Sequence, residues 1–548
     1  MRQWMVAAKK ADFYAIAEKF HVDPVVARII RNREVIGEKN IRIYLGGNLS
    51  DLSDPHQMKD MDRLVEILAQ KIRKQVHIRI IGDYDVDGVT SSHLFLTALR
   101  RVGAKVDVVI PHRIQDGYGL SLHLLQQAKE DGVDTILTCD NGIAAIDEIA
   151  WAKAQKMTVL VTDHHAVPFE EHEGRRTEKK SLADAVVNPH QQDCGYPYKE
   201  LCGAGVAWNV IRVLYENYDM DKREAEDLLD FVAMATVCDV MSLTGENRIL
   251  VKEGLKRIRH TKNIGLQALM QACNVQPENI SAYHFGYVLG PCVNATGRLD
   301  TARHALRLFE TGQETEAEEI ARDLVDLNQE RKELTLQGVE MAKKLCEEGG
   351  YENDPILVLF LPDVHESIAG LIAGRIREMY NRPVFVLTRG EEGVKGSGRS
   401  TENYSMYENM CGCAELFTKF GGHPMAAGLS LPEENVEKFR RKINENCPLT
   451  VEEVCPDIHI DMAMPVGYAS TELVHQFALL EPFGKDNPSP LFADRNLSIS
   501  RMWVIGKNRN VLRMSVLSEY GQPVPVIFFG DVETLFAYFT EKFGQEEV

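Results

Sequence analysis

Four short segments of this chain carry residues able to hold metal ions or move protons. Asp83, Asp85 and Asp87 alternate and are followed by Gly88. Asp140 opens Asp-Asn-Gly, Asp163 precedes His164 and His165, and Asp239 closes Thr-Val-Cys-Asp. Carboxylates packed this closely repel one another, and a bound divalent cation is the usual remedy. Aspartates with one or two histidines and no cysteine form a hard-to-borderline ligand set, better suited to Mn²⁺ or Mg²⁺ than to structural zinc. So many carboxylates usually bind two ions, which clamp a phosphoryl group and activate the attacking water. Asp239, taken alone, reads as a helix-end residue.

The elements around these residues place them together. Ile78–Ile81, Thr135–Cys139 and Met157–Val161 are apolar, strand-like runs, and each ends just before one of the first three segments. Lys105–Ile110 and Ala185–Asn188 add two more strands, and Val89–Val102 reads as a helix. Strands alternating with helices predict a doubly wound parallel sheet, whose ligand sites lie at the C-terminal strand edge. The predicted aspartates therefore sit on turns at that edge.

The remaining organisation follows from pattern. Residues 1–75 read as a helical segment packing on a catalytic domain of residues 76–313. The charged, leucine-bearing run Glu314–Glu348 predicts one long connecting helix, ending at Gly349-Gly350 (314–350). A smaller α/β domain (351–450) follows, with strands at Pro355–Phe360 and Pro383–Leu387 and a helix at Ser367–Tyr380. Glycine-rich turns are expected at Gly396–Ser400 and Gly421–His423. Short alternating runs after Cys455 predict a small β-barrel over 455–548.

Bulk composition narrows the classes. The chain has 548 residues, 44% hydrophobic and 26% charged, which is ordinary for a multidomain globular protein. No apolar run approaches the ~18–20 residues of a membrane span, and the N-terminus lacks a secretory apolar core, so a cytoplasmic protein without a membrane role is expected. The 11 cysteines include no Cys-x-x-Cys pair, which points to reduced thiols rather than a zinc ribbon. A net charge of −19 argues against broad coating of nucleic acid, while leaving room for a local basic channel.

In order and rough spacing, Asp85-x-Asp87-Gly, Asp140-Asn-Gly, Asp163-His-His and Thr-Val-Cys-Asp239 resemble motifs I to IV of the DHH phosphoesterases. Within that superfamily the chain resembles the RecJ family of single-strand-specific exonucleases. Leu52-Ser-Asp-Pro, Leu201-Cys-Gly-Ala-Gly, Asn294-Ala-Thr-Gly-Arg298, Ser397-Gly-Arg-Ser and Gly421-Gly-His-Pro-Met-Ala-Ala-Gly carry the likeness, and the tail is similar to that family's oligonucleotide-binding (OB) barrel. The resemblance implies 5′→3′ hydrolysis of single-stranded DNA to 5′-mononucleotides by two divalent ions, in repair and recombination. It also implies a helicase and a single-strand-binding protein as partners.

By this resemblance the metal ligands are Asp85, Asp87, Asp140, His164 and Asp239, with Asp140 bridging and Asp83 either a further ligand or a group supporting the ligands from behind. His165 would face the scissile phosphate, and Asp163 would orient a histidine. Arg113, Ser397 and Arg399 would capture the 5′-terminal phosphate, and Arg298 would touch the strand. His423 is either structural or a nucleic-acid contact. Trp503 and Arg509, with Arg501, Lys507 and Arg513, offer the stacking and charge that single-strand binding uses. Two departures stand out: Cys292 where the family usually has Arg, and His365-Glu-Ser-Ile where His-x-Gly-Val is commoner. Two other readings are a DHH hydrolase of short oligonucleotides, cyclic dinucleotides or pyro- and polyphosphate, and an inactive DNA-binding scaffold.

Overall fold

The computed structural model describes residues 4–112, 116, 119–172, 175–390, 393–447, 449–454, 457–506 and 509–543. Five strands, β1 (His77–Ile81), β2 (Lys105–Val109), β3 (Thr135–Cys139), β4 (Thr158–Thr162) and β5 (Ala185–Val187), form one parallel sheet in the order β2-β1-β3-β4-β5. The central strand β3 is buried along its whole length, as an apolar strand must be when helices cover both faces. From β1 the chain goes to one side to make β2, then crosses back to make β3 on the other side. That reversal opens a crevice beyond the C-terminal ends of β1 and β3, where Asp83–Asp87 and Asp140 follow.

Helix α1 (Val86–Arg101) begins three residues earlier than the sequence predicts. Its N-cap is Asp85, whose carboxylate accepts from Gly88 N at 3.0 Å. Asp87 therefore lies buried in the first helical turn rather than on a loop. Around α1 pack α2 (Gly203–Asn217), α3 (Leu229–Cys238) and α4 (Gly290–Leu299), and the shared core includes Phe95, Trp208, Phe231 and Phe309. The long helix α5 spans Glu314–Glu348.

A second sheet follows: β6 (Leu357–Phe360), β7 (Val384–Gly390), β8 (Gly393–Arg399), β9 (Lys419–His423) and β10 (Ala426–Leu431), in the order β9-β10-β8-β7-β6. Helix α6 (Ala369–Tyr380) connects the parallel pair β6 and β7. Gly396–Arg399 and Gly421–His423, predicted as turns, are antiparallel strands. Close packing explains these glycines: a Cβ at Gly396 would collide with Leu387, and one at Gly398 with Met406.

The chain divides into two compact units, and the division corrects the predicted N-terminal segment. Residues 47–454 with 482–487 form one unit; residues 4–46 cluster instead with 457–481 and 488–543. In that second unit the strand Trp4–Val6 pairs in parallel with Ile458–Ile460. Arg33 grips the buried Asp461 through two bonds of 2.7 and 3.0 Å, and Asn32 Nδ2 donates to the Asp461 carbonyl. Such pairing needs residues over 400 positions apart, which local pattern does not reveal. The tail contributes an antiparallel sheet of β11 (Ser498–Ile505), β12 (Val511–Leu517) and β13 (Pro523–Phe529), then a helix over Val532–Phe543 that the strand pattern did not foretell. Among the described residues no helix is long and apolar enough to cross a membrane.

Candidate metal centre and phosphate pocket

Backbone N–H groups fix three of the acidic side chains, Asp85, Asp87 and Asp163. The N-terminus of α2 points at Asp87: Gly203 N donates to Oδ2 at 2.6 Å and Ala204 N to Oδ1 at 2.7 Å. Such a helix terminus favours negative charge. Only glycine allows this approach, since a Cβ at position 203 would lie 2.7 Å from Asp140 Cβ. Asp140 itself has φ +60°, a left-handed conformation that side chains rarely adopt and that recurs at functional sites. The neighbouring Asn141 holds the strand ends together, its Nδ2 donating to the carbonyls of Ile81 and Cys139.

Asp163 is buried and accepts from His164 N, His165 N, His165 Nδ1 (2.8 Å) and Ile143 N. It therefore orients the Asp-His-His turn. His164 Nε2 lies 3.1 Å from Asp140 Oδ1 and 3.6 Å from both Asp87 Oδ2 and Asp239 Oδ2. Asp239 caps the C-terminus of α3 and so reaches the same place from the far side. The ligand atoms fall into three overlapping groups, each within 4.8 Å: Asp83, Asp85 and Asp140; Asp140, His164 and His165; Asp87, His164 and Asp239. Asp140 and His164 belong to two groups each.

Electrostatics matches this geometry. Burial, reinforced by the neighbouring carboxylates, pushes Asp140 and Asp239 well above the usual range. Burial and Asp87 also raise Asp85. Each shift favours the neutral acid, and a bound cation would act in the opposite sense. Burial lowers His164, leaving a neutral imidazole with a free lone pair. Burial opposes charge on Asp163 and His165 too, but their mutual hydrogen bond prevails: Asp163 falls below the ordinary range and His165 rises to about 9.

A second feature lies on the same unit. A cavity of about 540 Å³ is lined by Tyr84, Arg298, Lys395, Ser397, Arg399 and the first turn of α6. A Cβ at Gly370 in that turn would sit 2.7 Å from Arg399 Nη2 and 2.8 Å from Ser397 Oγ. A guanidinium, a hydroxyl and a helix N-terminus thus converge, a combination suited to a phosphate. Arg298 Nη1 donates to the Ser367 carbonyl at 2.6 Å, tying α4 to the turn before α6. Lys395, which the sequence did not single out, projects from β8 two residues before Ser397 and four before Arg399. Period-two spacing shows that relation once the run is read as a strand.

The other expected residues fall elsewhere. Arg113 and Lys507 lie outside the described residues. His423 is exposed at the end of β9, its Nδ1 accepting from Met425 N. Trp503, 44% exposed on β11, stands opposite Arg513 on β12, and Arg509 lies in their connection. These last three belong to the second unit. Cys292 is buried in α4, 3.8 Å from Cys273 Sγ and bonded by Asn328 Nδ2, so its side chain faces the core.

A switch-point sheet carrying Asp-x-Asp, Asp-Asn-Gly, Asp-His-His and a fourth aspartate defines a DHH phosphoesterase. Residues 77–236 match the DHH family, N-terminal domain, residues 353–447 the DHHA1 domain, and residues 460–543 the RecJ OB domain. The chain is 34% identical to the single-stranded-DNA-specific exonuclease RecJ of Haemophilus influenzae, over 91% of this chain and 88% of that one. It is 33% identical to the Bacillus subtilis RecJ over 93% of its own length, while spanning 63% of that longer relative. The crystal structure of Thermus thermophilus RecJ in complex with Mn²⁺ superposes with a TM-score of 0.81 at 27% identity, covering 97% of this chain and 74% of that one. The chain belongs to the RecJ family of single-stranded-DNA-specific exonucleases.

Proposed function

We propose that this chain is a 5′→3′ exonuclease of single-stranded DNA that releases 5′-mononucleotides. The observation that carries this reading is the pairing, on one compact unit, of a buried carboxylate–histidine cluster with a cationic pocket at a helix N-terminus. Asp85, Asp87, Asp140, His164 and Asp239, with Asp83, would hold two divalent ions, Mn²⁺ or Mg²⁺. When bound, such ions neutralise phosphate charge and acidify a water at neutral pH. The donor chemistry fits: the acids are driven towards protonation by burial and mutual repulsion, and His164 is neutral.

The protein's own groups do the rest. Ser397 and Arg399, with Arg113, bind the 5′-terminal phosphate and fix which phosphodiester reaches the cluster, so each cut yields one nucleotide. His165, kept protonated by Asp163, offers a hydrogen bond to the scissile phosphate. Asp163 positions His165 and takes no part in proton transfer to substrate. Arg298 steers the strand between pocket and cluster. In the second unit, Trp503 and Arg509 offer stacking and charge to single-stranded DNA. A helicase and a single-strand-binding protein would supply the strand, in cytoplasmic repair and recombination.

The test uses long single-stranded DNA labelled at the 5′ or the 3′ end, with Mn²⁺ or EDTA. Early release of the 5′ label as mononucleotide, abolished by EDTA and by Asp140→Ala, is the expected result. Intact DNA alongside cleavage of short oligonucleotides, cyclic dinucleotides or pyrophosphate would move the substrate elsewhere within the superfamily. Binding without cleavage of any of these would indicate a scaffold.

A further inference from the structure

Between Ser281 and Leu299 one accessible stripe runs along the chain. Tyr283 and Tyr287 are exposed and Pro291, Asn294 and Arg298 half-buried, whereas Phe285, Leu289, Cys292 and Thr296 are buried. The segment passes through a π-helical turn, Phe285–Leu289, before α4 begins. Residues 283, 287, 291, 294 and 298 follow one another at spacings of three or four, which puts them on one side of a helix, and π turns are frequent at functional sites.

The stripe has landmarks. At one end, Arg298 lines the phosphate cavity. One turn back, Asn294 Oδ1 accepts from the backbone N–H of Val86, the residue between Asp85 and Asp87, at 3.1 Å. Another turn back, next to Pro291 but on the buried side of the segment, Gly290 packs so closely on Cys238, which precedes Asp239, that a Cβ there would collide with its sulfur. In sequence, the segment thus meets the phosphate pocket, then the Asp85–Asp87 pair, then the Asp239 end of α3. Beyond these come Tyr287 and Tyr283, 71% and 62% exposed. Their rings stack on each other with centroids 5.0 Å apart and planes 25° apart.

We propose that Tyr283 and Tyr287 form a stacking platform for the nucleobases of single-stranded DNA on the 3′ side of the scissile bond. This rests on the exonuclease reading: a strand whose 5′ phosphate sits by Arg298 and whose first phosphodiester lies at the aspartates continues 3′ towards the tyrosines. Every base has a π-face, so the grip is sequence-independent. It also supplies a further strand contact on the segment where Cys292, in place of an arginine, is turned into the core. The continuity of the stripe with the cationic pocket selects nucleic acid as its occupant.

The test compares the full chain with the double variants Tyr283→Ala/Tyr287→Ala and Tyr283→Phe/Tyr287→Phe. The readouts are KM for 5′-phosphorylated single-stranded DNA with Mn²⁺, and fluorescence of 2-aminopurine placed at successive positions from the 5′ end, with Ca²⁺ replacing Mn²⁺. Stacking on an aromatic side chain contributes ~1–3 kcal/mol per base, so the alanine pair should raise KM roughly 5- to 150-fold. Quenching at one or two adjacent positions should appear with the parent and the phenylalanine pair and vanish with the alanine pair. Unchanged KM and quenching in the alanine pair, in a parent that cuts single-stranded DNA, would overturn the platform alone. Equal loss of quenching at every position would likewise overturn it. A parent that neither binds nor cuts single-stranded DNA would overturn the exonuclease reading beneath it.

Discussion

Two buried titratable groups outside the metal centre, His93 on α1 and Asp230 on α3, oppose each other in the pH dependence of stability. Both line a cavity of about 720 Å³. His93 packs between the rings of Phe231 and Phe309, and burial, with Arg100 and Arg101 nearby, pushes it down to about 3. An unfolded histidine takes its proton near pH 6.5, so His93 costs stability as pH falls below that value. Burial pushes Asp230 up to about 6, outweighing its bonds from Thr261 Oγ1 and Phe231 N. The folded state then holds that proton more tightly than the unfolded chain, so Asp230 adds stability as pH falls through 6 towards 4. Urea unfolding of the metal-free protein at pH 7 and pH 5 separates the two. On going to pH 5, His93→Phe should gain about 2 kcal/mol relative to the parent, and Asp230→Asn should lose about 1 kcal/mol. Parallel pH profiles in all three proteins would refute the assignment.

At the scale of elements, the decisive contact is a helix end against a carboxylate. Gly203→Ala would force the first turn of α2 away from Asp87 and Asp140. We expect Mn²⁺ affinity to fall about 10- to 100-fold, the usual effect of disturbing the groups behind metal ligands. Gly312→Ala, with no atom within 4 Å of its added Cβ, serves as the control, and calorimetric titration measures both. Much at this scale was legible in the sequence. Apolar runs ending in Asp, Asp and Asp-His-His announce strands delivering ligands to one sheet edge, and α5 has its expected bounds because a glycine pair stops it. Glycine marks turns and close packing alike, so the sequence reads Gly396–Ser400 as a turn, and only the strand that forms there aligns Lys395 with Ser397 and Arg399. The start of α1 was placed late because Asp85 is both a cap and a candidate ligand. The approach of α2 to Asp87 depends on tertiary contact and leaves no local pattern.

At the scale of the whole molecule, residues 4–46 join 457–481 and 488–543 in one unit, where Asp461 links the separate stretches. Its carboxylate accepts from Arg33 and from Leu491 N, and both partners of the ion pair are buried. Breaking such a pair on one side usually costs ~3–5 kcal/mol. Asp461→Ala should therefore lower the melting of the second unit while leaving Mn²⁺-dependent stabilisation of the catalytic unit in place. Calorimetry with and without Mn²⁺ reads both transitions; a single transition shifted as a whole would contradict the separation. The parallel pairing of Trp4–Val6 with Ile458–Ile460 also reaches back to the ribosome. Those strands are made about 450 residues apart, which at roughly 5–20 residues per second is on the order of half a minute to a minute and a half. Throughout that interval residues 4–46 have been translated without the partner they fold against, so this stretch of the newborn chain stays unfinished until Ile458–Ile460 emerges.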